Sequence, residues 1–267
     1  LLGLDPHKRH RDTPSLVAFV AFLILVFVAP LLTFRPSAAA TDDSSIRQIG
    51  YVLTLMLAAY GARNRLNNWE NYIIPLPIFL TLLWFWASTV WAIDPANSLR
   101  RTFLTTIVVL TAFWTVRPLG YERTIATLRI ALAVLLVVNI LVVYLDPVTG
   151  MHQGSDNKSY TIFGGMWRGI MVHKNFAGAA CAITVLLFLF DAKNISLTYK
   201  AAIISASCVF LYATQSKTSM GMTLIAILAG LVFKFFTGRL RNIFIALIIF
   251  GTAVFYVVMQ IFADQIK

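Results

Sequence analysis

Ile130-Ala-Leu-Ala-Val-Leu-Leu-Val-Val-Asn-Ile-Leu-Val-Val-Tyr-Leu145, closed by Asp146-Pro147, decides the class of this chain. With residues 125–129 ahead of it, the run is long enough for a helical membrane span, which needs about 20 predominantly apolar residues. Asp146-Pro147 ends it, because proline lacks the N–H that would continue the helix. Working outward, similar runs lie at about 15–33, 46–60, 73–90, 103–116, 174–190, 201–214, 219–236 and 243–262. The expected fold is all-α: a polytopic transmembrane helix bundle of about nine spans, one domain over 1–267, with a polar outer loop at 146–173. The runs at 103–116 and 201–214 are short, and are expected to borrow polar residues at their outer ends or to cross a thinned bilayer.

Composition agrees. The 267 residues are 59% hydrophobic and 12% charged, with a mean hydropathy of +0.78. Soluble domains lie near 45–50% apolar and about 25% charged. The net charge of +11 does not make a nucleic-acid binder, because the basic residues are scattered between apolar runs and form no continuous face. Cys181 and Cys208 both fall inside expected spans and read as small buried hydrophobes. Lys8-Arg9-His10-Arg11 before an apolar run resembles a signal peptide, but the segment is expected to stay as an uncleaved first span. A chain running from Leu1 to Lys267 is expected to continue at both ends.

Lysine and arginine in the connecting segments set the orientation. With a cytoplasmic N-terminus, 13 of the 22 lie inside, Arg63, Arg123 and Arg239 among them, and 9 lie outside. The outer side thus keeps cations that topology alone would exclude. All 11 acids fall in loops or at span ends, so no carboxylate sits at mid-membrane depth where a proton-coupled transporter would place one.

Three outer-side stretches carry chemistry. The densest is Trp167-Arg168-Gly169-Ile-Met-Val-His173-Lys174-Asn175-Phe-Ala-Gly178. A charge at helix-centre depth costs roughly 2.5–3.5 kcal/mol, so such a gathering points to a site for an anion. Arg168 offers a planar fork for bidentate phosphate contacts, His173 exchanges protons near neutrality, and Lys174 adds a point charge. Asn175 is expected to cap the next helix or donate to an oxyanion. Gly150, Gly154, Gly164, Gly165 and Gly169 are expected to keep the loop pliable and admit a ligand close to the backbone. The second stretch is Trp91-Ala-Ile-Asp94-Pro95-Ala-Asn97-Ser98-Leu-Arg100-Arg101, with Ser98 as the expected cap and two arginines in the first turn. Interfacial snorkelling of Arg100 and Arg101 is the simpler reading there, and an anion site the sharper one. The third is Thr214-Gln215-Ser216-Lys217-Thr218-Ser219, where Lys217 and the Thr218 hydroxyl suit phosphate oxygens, although a hairpin turn needs no ligand. His7, His10, His152 and His173 show no metal-ligand spacing, and no nucleotide fingerprint is present, so neither metal nor cofactor is expected.

These three stretches, in their order along the chain, resemble the motifs of the O-antigen ligase and exopolysaccharide polymerase family over nearly the whole chain. The resemblance implies a glycosyltransferase of the bacterial inner membrane. Such an enzyme takes a glycan from undecaprenyl diphosphate at the periplasmic face and joins it to a glycan or lipid acceptor, without metal or nucleotide. It implies that Arg168 and His173 are catalytic, and that Arg100, Arg101, Lys174, Asn175, Lys217 and Thr218 hold diphosphate or glycan. It further implies a large periplasmic loop after Lys267 carrying a catalytic histidine, and contacts with other polysaccharide-assembly proteins. A lipid-linked glycan flippase, or a non-catalytic membrane subunit, are the competing readings.

Overall fold

The computed structural model describes residues 6–28, 45–63, 74–152, 164–192 and 195–236, together with separate positions between 238 and 254. Among these residues the fold is all-helical, with one isolated antiparallel bridge between Met151 and Trp167. The helices are α1 (Pro6–Val28), α2 (Ser45–Arg63), α3 (Leu76–Ser88, continued by a 3-10 turn at Thr89–Trp91) and α4 (Pro95–Leu145). A single turn, α5 (Pro147–Gly150), precedes α6 (Lys174–Phe190), α7 (Leu197–Ala213) and α8 (Lys217–Phe235). Two of them, Pro95–Leu145 and Lys217–Phe235, are long and apolar enough to cross a membrane. Five shorter apolar helices accompany them, at Thr13–Phe27, Gln48–Ala62, Leu76–Trp91, Lys174–Phe190 and Leu197–Ala213. Most of the run expected at 243–262, and the end of the run at 15–33, lie outside the described residues.

The chain forms two compact units, residues 1–150 with 169–172, and residues 151–168 with 173–267. In the first, α1, α2 and α4 pack together. Pro118, followed by Gly120 at φ 73° and ψ 166°, breaks α4 into two arms, 95–119 and 121–145. Proline removes a helical hydrogen bond and glycine tolerates the positive φ, so the break is written in the sequence. Phe19, Phe22 and Leu23 of α1 are buried with Leu119 at this elbow, against Val108, Ala112 and Val116 of one arm and Leu128 and Ala131 of the other. In water each such burial is worth about 1.5–3 kcal/mol. In lipid that drive fades, and close packing through small residues takes its place. Gly61 supplies it for α1 and α2, since a Cβ there would stand 2.7 Å from the Ser15 Oγ.

The first arm extends the short run expected at 103–116 outward to Pro95. Thr105, Thr106, Thr111 and Thr115 satisfy their hydroxyls within the helix: Thr111 Oγ1 donates to the Ile107 carbonyl and Thr115 Oγ1 to that of Thr111, both at 2.8 Å. The apolar surface faces outward. In the most apolar stretches of α4 and α8 only 33% and 6% of residues are buried, and Trp84, Trp91, Tyr144 and Leu145 are exposed. Cys181 is buried, but Cys208 is exposed, because it lies on the outward face of α7.

Candidate functional site

The second unit assembles a basic site where two helices begin. Helix α6 runs away from Lys174, α7 returns, and α8 runs away again from Lys217. Close approaches at both ends hold α6 and α8 parallel and in step. A Cβ on Gly178 would meet the Ser219 Oγ at 2.9 Å and the Ser216 Cβ at 3.0 Å, and one on Gly230 would meet the Phe190 ring at 2.5 Å. Parallel packing sets two helix N-termini side by side, each with unsatisfied N–H groups and a partial positive charge.

Each terminus is capped, and the caps are tied together. His173, in extended backbone conformation, is the N-cap of α6, and its Nδ1 accepts from the Asn175 N–H at 3.2 Å. His152 adds a second cap, with Nε2 accepting from the Lys174 N–H at 3.2 Å. The two imidazoles meet edge to face, 5.3 Å between centroids. Ser216 caps α8: its Oγ accepts from the Ser219 N–H at 3.4 Å and donates to the Asn175 Oδ1 at 3.0 Å. Ahead of it, Gln215 adopts φ 50°, a left-handed conformation that costs a non-glycine residue about 1–2 kcal/mol. The Thr214 Oγ1 accepts the Ser216 N–H at 3.2 Å and braces this turn.

Arg168 is held by its neighbours. The Trp167 N–H donates to the Ala213 carbonyl at 3.2 Å, and the Trp167 ring meets Phe210 edge to face at 5.4 Å. The His152 N–H donates to the Met166 carbonyl and the Gly165 N–H to the His152 carbonyl, each at 3.0 Å. Lys174 is buried, with Nζ donating to the Met166 sulfur at 2.9 Å. Lys217 lies within electrostatic reach of Lys174, and Arg168 within reach of His152. Burial of the ring, then the positive charges of Arg168, His173 and Lys174, push His152 down to about 4. Burial and Lys174 lower His173 as well. Both rings are therefore neutral at pH 7, as their accepting nitrogens require. Among the described residues of this unit the one carboxylate is Asp191, at the far end of α6. Seventeen helical residues separate the two ends, about 25 Å.

Of the residues singled out in the sequence, Arg168, His173, Lys174, Asn175, Lys217 and Thr218 all belong to this unit, with Lys217 and Thr218 exposed in the first turn of α8. Arg100 and Arg101 belong to the other unit, in the first turns of α4. Three expectations need correction. Asn175 does not cap α6: His173 does, because the extended residue precedes Lys174. Ser98 does not cap α4: Asp94 does, accepting from the Asn97 N–H, because Pro95 occupies the first helical position. Nor do Gly150 and Gly169 open the chain to a ligand. A Cβ on Gly150 would strike the Val143 backbone, and one on Gly169, at φ 60°, would strike the Asn139 side chain. Gly169 leaves room for the buried Asn139 Oδ1 to accept the Ile170 N–H at 2.9 Å.

His152 and Asn139 carry structural weight that the sequence reading did not assign. A lone amide in the apolar run 130–145 was a signal for Asn139. Nothing near His152 in sequence announced a partner 22 residues on. Among the described residues no three His, Cys, Asp or Glu side chains gather as metal ligands do. No family model, curated protein or solved structure matches the chain.

Proposed function

We propose that the chain is a multi-pass protein of the bacterial inner membrane, with a cytoplasmic N-terminus and about nine spans. In this reading it transfers or polymerises glycan from an undecaprenyl-diphosphate-linked donor at the periplasmic face. The observation that carries it is the basic cluster of Arg168, Lys174 and Lys217 at the paired starts of α6 and α8, whose unit places its one described carboxylate at the opposite end of α6. Two helix N-termini and three cations suit a diphosphate, whose charge grows as the glycosyl–oxygen bond breaks. The resemblance of the three motifs to the O-antigen ligase and exopolysaccharide polymerase family supports the same reaction class.

In this reading an acceptor hydroxyl attacks the anomeric carbon, and undecaprenyl diphosphate leaves with the bonding electron pair. The Arg168 fork and the ammonium groups of Lys174 and Lys217 receive the developing charge, helped by Asn175 and the Thr218 hydroxyl. His173 uses Nδ1 to cap α6, so its proton rests on Nε2 and is offered as a hydrogen bond to a phosphate oxygen. The acceptor's base then comes from elsewhere. Arg100 and Arg101 are proposed to bind diphosphate or glycan.

The test is direct. Purified protein in nanodiscs receives an undecaprenyl-diphosphate-linked oligosaccharide and an acceptor glycan. Release of undecaprenyl diphosphate with a lengthened glycan is expected. Recovery of intact donor on the opposite leaflet of proteoliposomes would instead identify a flippase, and no change in the donor a non-catalytic subunit.

A further inference from the structure

His152 belongs to none of the stretches that carry the resemblance, yet three of its groups are engaged at the basic cluster. Its N–H donates to the Met166 carbonyl and its carbonyl accepts from the Gly165 N–H, which pins its backbone to the segment leading into Arg168. Its side chain reaches α6, where Nε2 accepts from the Lys174 N–H at 3.2 Å. On the next residue, the Asn175 N–H donates to the His173 Nδ1, also at 3.2 Å. Two imidazoles thus cap two successive N–H groups of one helix start, with their rings edge to face. Serine, threonine and asparagine commonly do this work and do not titrate, whereas histidine takes up a proton near pH 6.5.

We propose that His152 is a positioning residue of the anion site and forms with His173 an acid-operated latch, which holds the start of α6 near neutrality and releases the anion in acid. The latch rests on the reading of the cluster as an anion site. A neutral imidazole carries its proton on one nitrogen and a lone pair on the other. In both rings the lone-pair nitrogen is the one that accepts from α6, so an arriving proton competes with the helix N–H for the same electrons. A protonated ring donates from both nitrogens and cannot cap. It also places positive charge at a helix start, where the dipole opposes it.

The charged groups facing the pair among the described residues push the same way. They are Arg168 from the preceding segment, Lys174 from the first turn of α6, and Lys217 of α8, which is in reach of Lys174. The end of α7 meets this segment through Phe210 and Ala213, which carry no charge. Burial and these charges keep His152 neutral down to about 4 and lower His173 as well, while a released ring titrates near 6.5. The closed latch is therefore fully favoured above pH 6.5, and each unit of acid below that shifts His152 toward the open form by up to about tenfold. Opening spreads to α8. The Asn175 Oδ1 accepts from the Ser216 Oγ and the Asn175 carbonyl from the Ser219 Oγ, so a displaced first turn of α6 loosens the cap behind Lys217. Histidines that point freely at an anion bind it more tightly as they gain charge. Here the proton removes the scaffold, and affinity falls.

Two measurements separate the latch from the anion. Hydrogen exchange of the full chain in nanodiscs is followed by mass spectrometry at about pH 7.5 and about pH 4.5, with rates corrected for intrinsic exchange. Protection of the N–H groups of 174–177 should fall at least about tenfold in acid, while the middle of α7 keeps its own. His152→Gln offers an oxygen to the Lys174 N–H and does not titrate, so its fall should be several-fold smaller. Affinity for symmetrical dimethyl diphosphate, a diester whose two charges stay constant over this range, is then read by calorimetry at both pH values. It should drop several-fold in acid for the unmodified protein and less for His152→Gln. Equal protection at the two pH values, an equal fall in His152→Gln, or an equal loss along α7 overturns the latch. Affinity that holds or rises in acid overturns its coupling to the anion. Binding of the diester at neither pH overturns the anion reading itself, whereas the exchange result decides the latch without it.

Discussion

The Ser216 hydroxyl donates a hydrogen bond to the Asn175 Oδ1 at 3.0 Å, and so joins the cap of α8 to the first turn of α6. This link, with the close approach of Gly178 to Ser216 and Ser219, braces the spacing of two helix starts.

Ser216→Ala removes the cap of α8 and this link together. Losing an N-cap hydroxyl costs about 0.5–2 kcal/mol, so thermal unfolding in detergent should move to lower temperature. Binding of inorganic pyrophosphate, read by calorimetry, should weaken as well. Unchanged affinity with lowered stability would confine Ser216 to a structural role.

Two glycines on the same helix pair should respond unequally to alanine. At Gly178 the new methyl meets the Ser216 Cβ, close to the backbone, at 3.0 Å. At Gly230 it meets the far edge of the Phe190 ring, which can turn aside. Gly178→Ala should cost about 1–3 kcal/mol, and Gly230→Ala less. Equal losses in denaturant titrations would show that the Phe190 ring cannot turn aside.

Acid should weaken the start of α6. An unfolded histidine binds its proton near pH 6.5, whereas His152 is held neutral down to about 4. Between those values the unfolded chain takes up a proton that the folded chain refuses, so stability present above pH 6.5 is lost as pH falls toward 4. His152→Gln keeps an acceptor for the Lys174 N–H and cannot titrate. Its unfolding temperature should fall less over this interval than that of the unmodified protein. Parallel curves would place the acid sensitivity elsewhere.

Arg168→Lys retains the charge but loses the planar fork. Glycan transfer in nanodiscs should fall at least about tenfold, equivalent to about 1.4 kcal/mol of transition-state binding. Near-normal transfer would mean that charge alone suffices at this position.

Orientation can be read with single cysteines in the Cys181→Ala, Cys208→Ala background. Thr218→Cys should react with an impermeant maleimide on intact spheroplasts, and Glu122→Cys should react only after lysis. Both side chains are exposed, so access is limited by the membrane alone. The reverse pattern would put the basic cluster in the cytoplasm and remove the case for a periplasmic transferase.

Helix positions were legible because apolar runs between Asp, Pro and Gly breaks map directly onto α3, both arms of α4, α6, α7 and α8. The caps were less so. Asp94-Pro95 carried its own signal, since proline favours the first helical position and an acid the residue before it. His173 did not, because histidine seldom serves as a cap and Asn175 beside it is the commoner choice. The basic cluster was visible as composition. Its second imidazole, His152, was not, because it reaches α6 through a bridge closed by backbone hydrogen bonds at Met166 and Gly165, which leave no side-chain pattern.

The elbow of α4 also imposes an order on biosynthesis. Phe19, Phe22 and Leu23 belong to α1, yet Leu119 and the second arm, which complete their burial, follow about a hundred residues later. At about 5–20 residues per second the ribosome needs roughly 5–20 s to deliver them. Throughout that interval α1 can rest on α2 and, later, on the first arm, but its aromatic face stays half covered. A nascent chain of this design carries an unfinished seam for those seconds, until the arms on both sides of Gly120 have been made.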